Sequence, residues 1–168
     1  MIRIGICDDS SAFLHQTKFM IDHWDNRPQD IITELFEDGD ALILAHSQKP
    51  FDIILLDVVM PLLNGIEAAN ELREKDKNVK IVFLTSSPEF AVASYTVKAS
   101  NYLLKPVEPA KLFACLDELI IEIKSVLSSN ENAVFPTVYS ERTQNQLEKL
   151  QKFLESGYKA CFMIVSMN

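Results

Sequence analysis

Asp8, Asp9, Asp57, Thr85 and Lys105 are the side chains in this chain whose types could do chemistry together. Three carboxylates gathered in one crevice repel each other, which raises their proton affinity unless a cation neutralises them. Oxygen-only ligands at an open site favour Mg²⁺, which keeps several waters and prefers a carboxylate or two beside a phosphoryl oxygen. Lys105 adds a point charge and Thr85 a hydroxyl donor, both suited to phosphoryl oxygens. Such a set fits the phosphorylation of a carboxylate. Taken singly, each residue has a plainer role: the acidic pair as a helix cap, Asp57 and Thr85 as turn residues, Lys105 in a solvated loop before Pro106. The functional reading uses all of them at once, provided the fold brings them to one edge.

The stretch Phe51 to Gly65, FDIILLDVVMPLLNG, shows how it would do so. The apolar run from Asp52 to Leu56 is too short for a typical helix and reads as a strand buried on both faces. It stops on Asp57, Pro61 prevents its continuation, and Asn64-Gly65 supplies a turn. Ile2 to Cys7 is a similar strand ending on Asp8-Asp9-Ser10-Ser11, residue types that cap helices. Phe13, Thr17, Met20, Ile21 and Trp24 then form one buried helical face, ended by Asn26 to Pro28. Ile31 to Phe36 is the second strand, Glu37 to Asp40 a turn, and Ala41, Leu42, Leu44 and Ala45 mark a short helix stopped by Pro50. Asn64 and Glu67 have capping-box spacing, and Ile66, Ala69 and Leu72 make the face of the third helix. Lys80 to Thr85 is the fourth strand; Ser87-Pro88-Glu89 starts a fourth helix running to about Val97. Asn101 to Leu104 is the fifth strand. Pro109 opens a long fifth helix with an apolar stripe through Leu112, Phe113, Leu116, Leu119, Ile120, Ile123 and Leu127. Strand and helix thus alternate five times, the pattern of an α/β doubly wound parallel sheet. In that architecture ligands bind at the carboxyl ends of the strands, where Asp8, Asp9, Asp57, Thr85 and Lys105 all fall.

Composition limits the rest. The 168 residues are 48% apolar, enough for a core, and carry a net charge of -8. Residues 129 to 168 are balanced, so the deficit lies in the first 128, and bulk attraction to nucleic acid is not expected there. Cys7, Cys115 and Cys161 are odd in number and widely spaced, with neither zinc spacing nor a disulfide framework. They read as reduced and mostly buried. Acids arrive too early for a signal peptide and no apolar stretch approaches a membrane span of ~20 residues, so a cytoplasmic protein without membrane partners is expected. There is no GxxxxGK loop and no Gly-rich dinucleotide turn. His15, His23 and His46 have unrelated spacings and read as surface or packing residues.

Asp8-Asp9, LLDVVMP with Asn64-Gly65, LTS around Thr85, and YLLKP from Tyr102 to Pro106 together resemble a response-regulator receiver domain, over residues 1 to about 125. The resemblance implies a flavodoxin-like sheet in the order 2-1-3-4-5, with Asp57 as the phosphoacceptor from a histidine kinase or phosphotransfer protein. It further implies that Asp9, Asp57 and the backbone carbonyl of Val59 hold Mg²⁺, with Asp8 acting mainly through water. Lys105 would pair with the phosphoryl group, and Thr85 and Tyr102 would form a switch that reshapes the surface of the fourth helix, fifth strand and fifth helix. The Lys105-Pro106 bond is expected to be cis. Such a chain is a phosphoacceptor rather than an enzyme. The rival reading is a module of the same fold that binds partners or dimerises without being phosphorylated.

Residues 126 to 140 read as a linker and 141 to 168 as a helix-strand appendage, with a helical pattern over Gln146 to Leu154 and a strand over Ala160 to Val165. TVYSERT, this helix and ACFMIVSMN resemble the opening of a diguanylate cyclase domain. Ser166 replaces that family's metal-binding Asp and no GGDEF loop follows, so no cyclase activity is expected. The stretch from Glu89 to Lys105 resembles receivers that carry LytTR DNA-binding domains, although nothing downstream does. The appendage could serve in a homodimer, since its strand would present an unpaired edge.

Overall fold

The computed structural model describes residues 1–25, 27–61, 63–90 and 96–131. Five strands, β1 (Ile2–Cys7), β2 (Ile31–Phe36), β3 (Ile53–Leu56), β4 (Lys80–Thr85) and β5 (Asn101–Leu104), form one sheet in the order β2-β1-β3-β4-β5. Every pair is parallel, so each connection must cross over, which is the work of the helices. Side chains alternate across a strand, and the two sets feed two separate cores. Ile4, Ile6, Ile53, Leu55, Val82 and Leu84 pack on one face with Leu14, Ile21 and Trp24 of or beside α1 (Ser11–Asp22), and with Leu112, Leu116, Leu119 and Ile120 of the long helix Pro109–Glu131. Trp24 and Phe113 stack at 5.3 Å between ring centroids and join those two helices. Cys7, Ile54, Leu56, Ile81 and Phe83 face the other way, against Leu42 and Ile43 of α2 (Gly39–Gln48) and Ala68, Ala69 and Leu72 of α3 (Gly65–Lys75).

The sheet order and the strand assignments agree with the sequence expectation; the helix faces need correction. Leu14, not Phe13, enters the core from the first turn of α1, where Leu14, Thr17 and Ile21 are the buried positions. Phe13 and Leu14 are adjacent, so a period of 3.6 admits either, and only packing decides. In α2 the buried residues are Gly39, Leu42, Ile43 and His46, whereas Leu44 is exposed. Asp38 caps that helix by accepting from the Ala41 N–H, so Gly39 and Asp40 belong to its first turn rather than to a loop. His46 is a packing residue: Nδ1 accepts from the Phe51 N–H at 3.1 Å, and Nε2 lies 3.4 Å from Asp76. The expected fourth helix is described only at its start, a 3-10 turn over Pro88–Phe90, and near its end. There Arg73 of α3 donates to the carbonyls of Val97, Lys98 and Val79, fastening the approach to β5. The long helix continues to Glu131, so the linker expected from residue 126 begins inside it; Leu127 ends the compact unit and is exposed. The Lys105–Pro106 bond is cis, as expected. Cys7 and Cys115 are buried free thiols, while Cys161 and the appendage at 141–168 lie outside the described residues. No helix among the described residues is long and apolar enough to cross a membrane.

Candidate functional site

Strand register brings the acidic residues together. Cys7 is paired with Leu56, so Asp8 and Asp57 leave the sheet side by side, tied by the bond from the Asp57 N–H to the Cys7 carbonyl at 2.9 Å. Across the sheet, Thr85 is paired with Leu104, and the Lys105 N–H donates to the Thr85 carbonyl at 2.8 Å. These neighbours, up to 97 positions apart in sequence, are adjacent at one edge.

The loop after β3 is shaped by close backbone contact. The Gly65 N–H donates to the Val58 carbonyl at 3.0 Å, and a Cβ on Gly65 would overlap the Asp57 carbonyl oxygen. Only glycine lets α3 begin this close to the acidic site. Asn64 closes the capping box as its spacing predicted, accepting from the Ile66 and Glu67 N–H groups while Glu67 accepts from the Asn64 N–H.

The Lys105 ammonium lies between two nearly buried carboxylates, 2.6 Å from Asp8 Oδ2 and 2.8 Å from Asp57 Oδ2. The other Asp57 oxygen accepts from the Val58 N–H at 2.7 Å and, more weakly, from the Val59 N–H at 3.4 Å. Asp8 Oδ1 accepts from the Ser10 N–H, so Asp8 closes the turn into α1 as well as lining the crevice. Burial raises the Asp8 carboxyl above the ordinary range, and the Asp57 charge adds to this against the pull of Lys105 and the Ser10 N–H. For Lys105, burial works against the charged form, but the bonds to Asp57 and Asp8 outweigh it and the proton is held more firmly than on a free lysine.

Asp9 completes the set from the exposed side. One carboxylate oxygen from each of Asp8, Asp9 and Asp57 lies within 4.8 Å of the others. Three carboxylates against one ammonium leave a formal charge of about -2, which a single hard divalent cation would balance, and an all-oxygen donor set suits Mg²⁺. Val59 stands exposed at the rim beside them.

Thr85 is fully buried, and its hydroxyl accepts from the Ser87 N–H at 3.3 Å. Tyr102 is half-buried, its ring edge-on to Phe83, and its hydroxyl donates to the Ser87 carbonyl. Burial, with a contribution from the Asp57 charge, raises the Tyr102 hydroxyl above its usual value. Ser87 therefore connects the two expected switch residues through its own backbone, a role invisible in sequence because a backbone acceptor has no residue signature. Phe13, which periodicity placed in the core, lies instead with its ring centroid 4.3 Å from Lys105 Nζ.

The family model for the response regulator receiver domain matches residues 4–117. The chain belongs to this family. The receiver is similar, at 27% identity over 165 residues, to an uncharacterized response regulatory protein of Vibrio cholerae, covering 97% of this chain and 62% of that relative. It is 38% identical over 108 residues to the sensory transduction protein LytT of Oceanobacillus iheyensis, covering 62% of this chain and 42% of the relative. It is 30% identical over 138 residues to the transcriptional regulatory protein BtsR of Salmonella typhi, covering 80% and 56% respectively. The chain thus spans less than two thirds of the length of these relatives. Among solved structures, the chemotaxis protein CheY4 of Vibrio cholerae superposes with a TM-score of 0.63 at 26% identity, over 71% of this chain and 98% of that one. A CheY-like receiver domain from Methanospirillum hungatei gives 0.64 at 26% identity, over 74% and 98%. A second family model, the sugar fermentation stimulation protein RE domain, matches residues 109–168. That match names a different family from the cyclase opening expected of the tail. Of its span, residues 109–131 are described and form the long helix.

Proposed function

We propose that this receiver accepts a phosphoryl group on Asp57 from a phosphohistidine of a histidine kinase or phosphotransfer protein. The observation that carries the reading is the Lys105 ammonium held between Asp8 and Asp57 at the open end of the sheet, with Asp9 beside them. An Asp57 carboxylate oxygen attacks the phosphorus; the P–O bond forms as the P–N bond breaks, and the imidazole nitrogen keeps the electron pair of that bond. The Val58 N–H fixes one Asp57 oxygen, so the carboxylate is presented in a single orientation. Lys105, already at 2.8 Å from Asp57, follows the arriving charge and pairs with a phosphoryl oxygen. Asp9, Asp57 and the Val59 carbonyl would hold Mg²⁺, with Asp8 acting mainly through water, and the bound ion would neutralise charge on the phosphoryl oxygens.

The response spreads through the loop after β4. A phosphoryl group adds a charge of about -1.5 to -2 and three strong acceptors, one of which the Thr85 hydroxyl can meet by leaving the Ser87 N–H. The backbone of Ser87 then moves, and with it the acceptor of Tyr102, biasing two states of the surface around β5. Relatives named as transcriptional regulators support an output in gene control.

Native mass spectrometry with Mg²⁺ and acetyl phosphate tests the acceptor role. The parent is expected to gain one phosphoryl group and Asp57→Asn none. Absence of any gain by the parent would turn the reading to a phosphorylation-independent binding module, and an equal gain by Asp57→Asn would displace the acceptor to another residue.

A further inference from the structure

Phe13 sits in the first turn of α1, five residues beyond Asp8, where the helix passes the crevice. Of the described residues, Leu14 and Ile21 of this helix enter the core, and Phe13 is part of neither apolar cluster. A half-exposed phenylalanine outside both cores has little reason to be ordered by apolar packing alone. What it does touch is the ammonium of Lys105, 4.3 Å from its ring centroid. Two of the three Lys105 N–H groups are accounted for by Asp8 and Asp57, and the ring covers a further side, leaving the lysine side chain 9% exposed.

We propose that Phe13 is a positioning residue for Lys105, its ring holding the ammonium over the crevice by a cation–π contact while the ammonium passes from the carboxylates to the phosphoryl group. The inference rests on the phosphoryl-acceptor reading above. A ring face attracts a cation without being a hydrogen-bond acceptor that must be satisfied. Lys105 can therefore change carboxylate for phosphoryl partners without abandoning a buried acceptor on that side, which would itself be costly. The same ring keeps water from the ammonium, so that the attraction to a phosphoryl oxygen acts in a less polar medium. A third carboxylate in that position would hold Lys105 as well but would compete with the phosphoryl group; an aliphatic side chain would exclude water but would not attract.

Phe13→Leu and Phe13→Tyr separate these roles, because both keep an apolar cover and only the second keeps a π face. Phosphorylation of the full chain by acetyl phosphate and Mg²⁺ is expected to slow about threefold to tenfold in Phe13→Leu and to stay within about twofold of the parent in Phe13→Tyr. A second readout needs no reaction: the side-chain ammonium of Lys105, followed by ¹H–¹⁵N correlation, should be sharp and slowly exchanging in the parent and in Phe13→Tyr but broadened in Phe13→Leu. Equal rates and equal ammonium signals in all three proteins would overturn the proposal, as would a Phe13→Tyr protein as slow as Phe13→Leu. Failure of the parent to be phosphorylated would overturn the acceptor reading and any role of Phe13 in transfer. The ammonium signal would then still report whether the ring holds Lys105, so the two failures are distinguishable. Thermal midpoints of the variants, read from Trp24 fluorescence, establish that the fold is retained.

Discussion

Replacing Gly65 by alanine should destabilise this receiver, although the usual rule for such a position points the other way. Gly65 is the first residue of α3 and has no positive φ, so alanine is conformationally acceptable there. In open space the change would stabilise by about 0.4–1 kcal/mol, by reducing the freedom of the unfolded chain. The space is not open. A Cβ would lie 2.8 Å from the Asp57 carbonyl carbon and 2.9 Å from Val58 Cα, with the carbonyl oxygen closer still, whereas ordinary contact begins at 3.4 Å. The atoms in the way are backbone, and clearing the carbonyl oxygen requires moving the start of α3 or the end of β3 by at least about an ångström; overpacking of this kind costs about 1–3 kcal/mol, occasionally more. The loss exceeds the gain, for a net destabilisation of about 1–2 kcal/mol. With a urea dependence of about 2 kcal/mol per molar, the midpoint should fall by about 0.5–1 M. Trp24 is the sole tryptophan and is buried in the core of this unit, so its fluorescence follows unfolding of the receiver itself. Because the displaced carbonyl belongs to Asp57, the rate of phosphorylation should fall as well. A midpoint equal to or above the parent's would refute the close approach and the argument built on it.

Two further expectations concern buried groups that take no part in the proposed transfer. Burial lowers the proton affinity of His46 below that of a free histidine despite the neighbouring Asp76, so the unfolded chain takes up the proton first as pH falls. Its contribution is complete above about pH 6.5 and is lost below it. Asp8, whose carboxyl is raised, acts with the opposite sign as it becomes protonated, so the comparison that isolates the histidine is a urea midpoint series from pH 7.5 to 5 beside His46→Gln. The parent should lose more stability than the variant over that range; parallel curves would refute it. Burial, followed by the nearby acidic charges of Asp38, Asp8 and Asp57, pushes the Cys7 thiol up to about 12, and burial pushes Cys115 up to about 11. Peptide mapping after iodoacetamide treatment at pH 8 should find both unmodified in the native protein and both alkylated in denaturant. Native alkylation of Cys7 at a free-thiol rate would contradict its placement.

Much of the fold could be read directly from local patterns. Apolar runs ending on Cys7, Leu56, Thr85 and Leu104 define strands by length and composition, and alternation with helices demands parallel pairing; the order β2-β1-β3-β4-β5 followed only from the resemblance to receivers. The capping box at Asn64 and Glu67 is equally local, because both partners lie within one helical turn. Asp8, Asp9, Asp57, Thr85 and Lys105 were legible as a set because strand ends of a parallel sheet share one edge. Amphipathic faces were less determinate: Phe13 and Leu14, or Ile43 and Leu44, satisfy the same period, and the choice between them is made by which neighbour the helix rotates against. Backbone roles left no trace at all. That Gly65 must clear the Asp57 carbonyl, that the Ser87 carbonyl receives the Tyr102 hydroxyl, and that Lys105 settles between Asp8 and Asp57 under the ring of Phe13 are properties of atoms brought together from distant parts of the chain. Sequence spacing fixes which residues reach the edge of the sheet. Only packing fixes the distances between them, and those distances decide what each residue does.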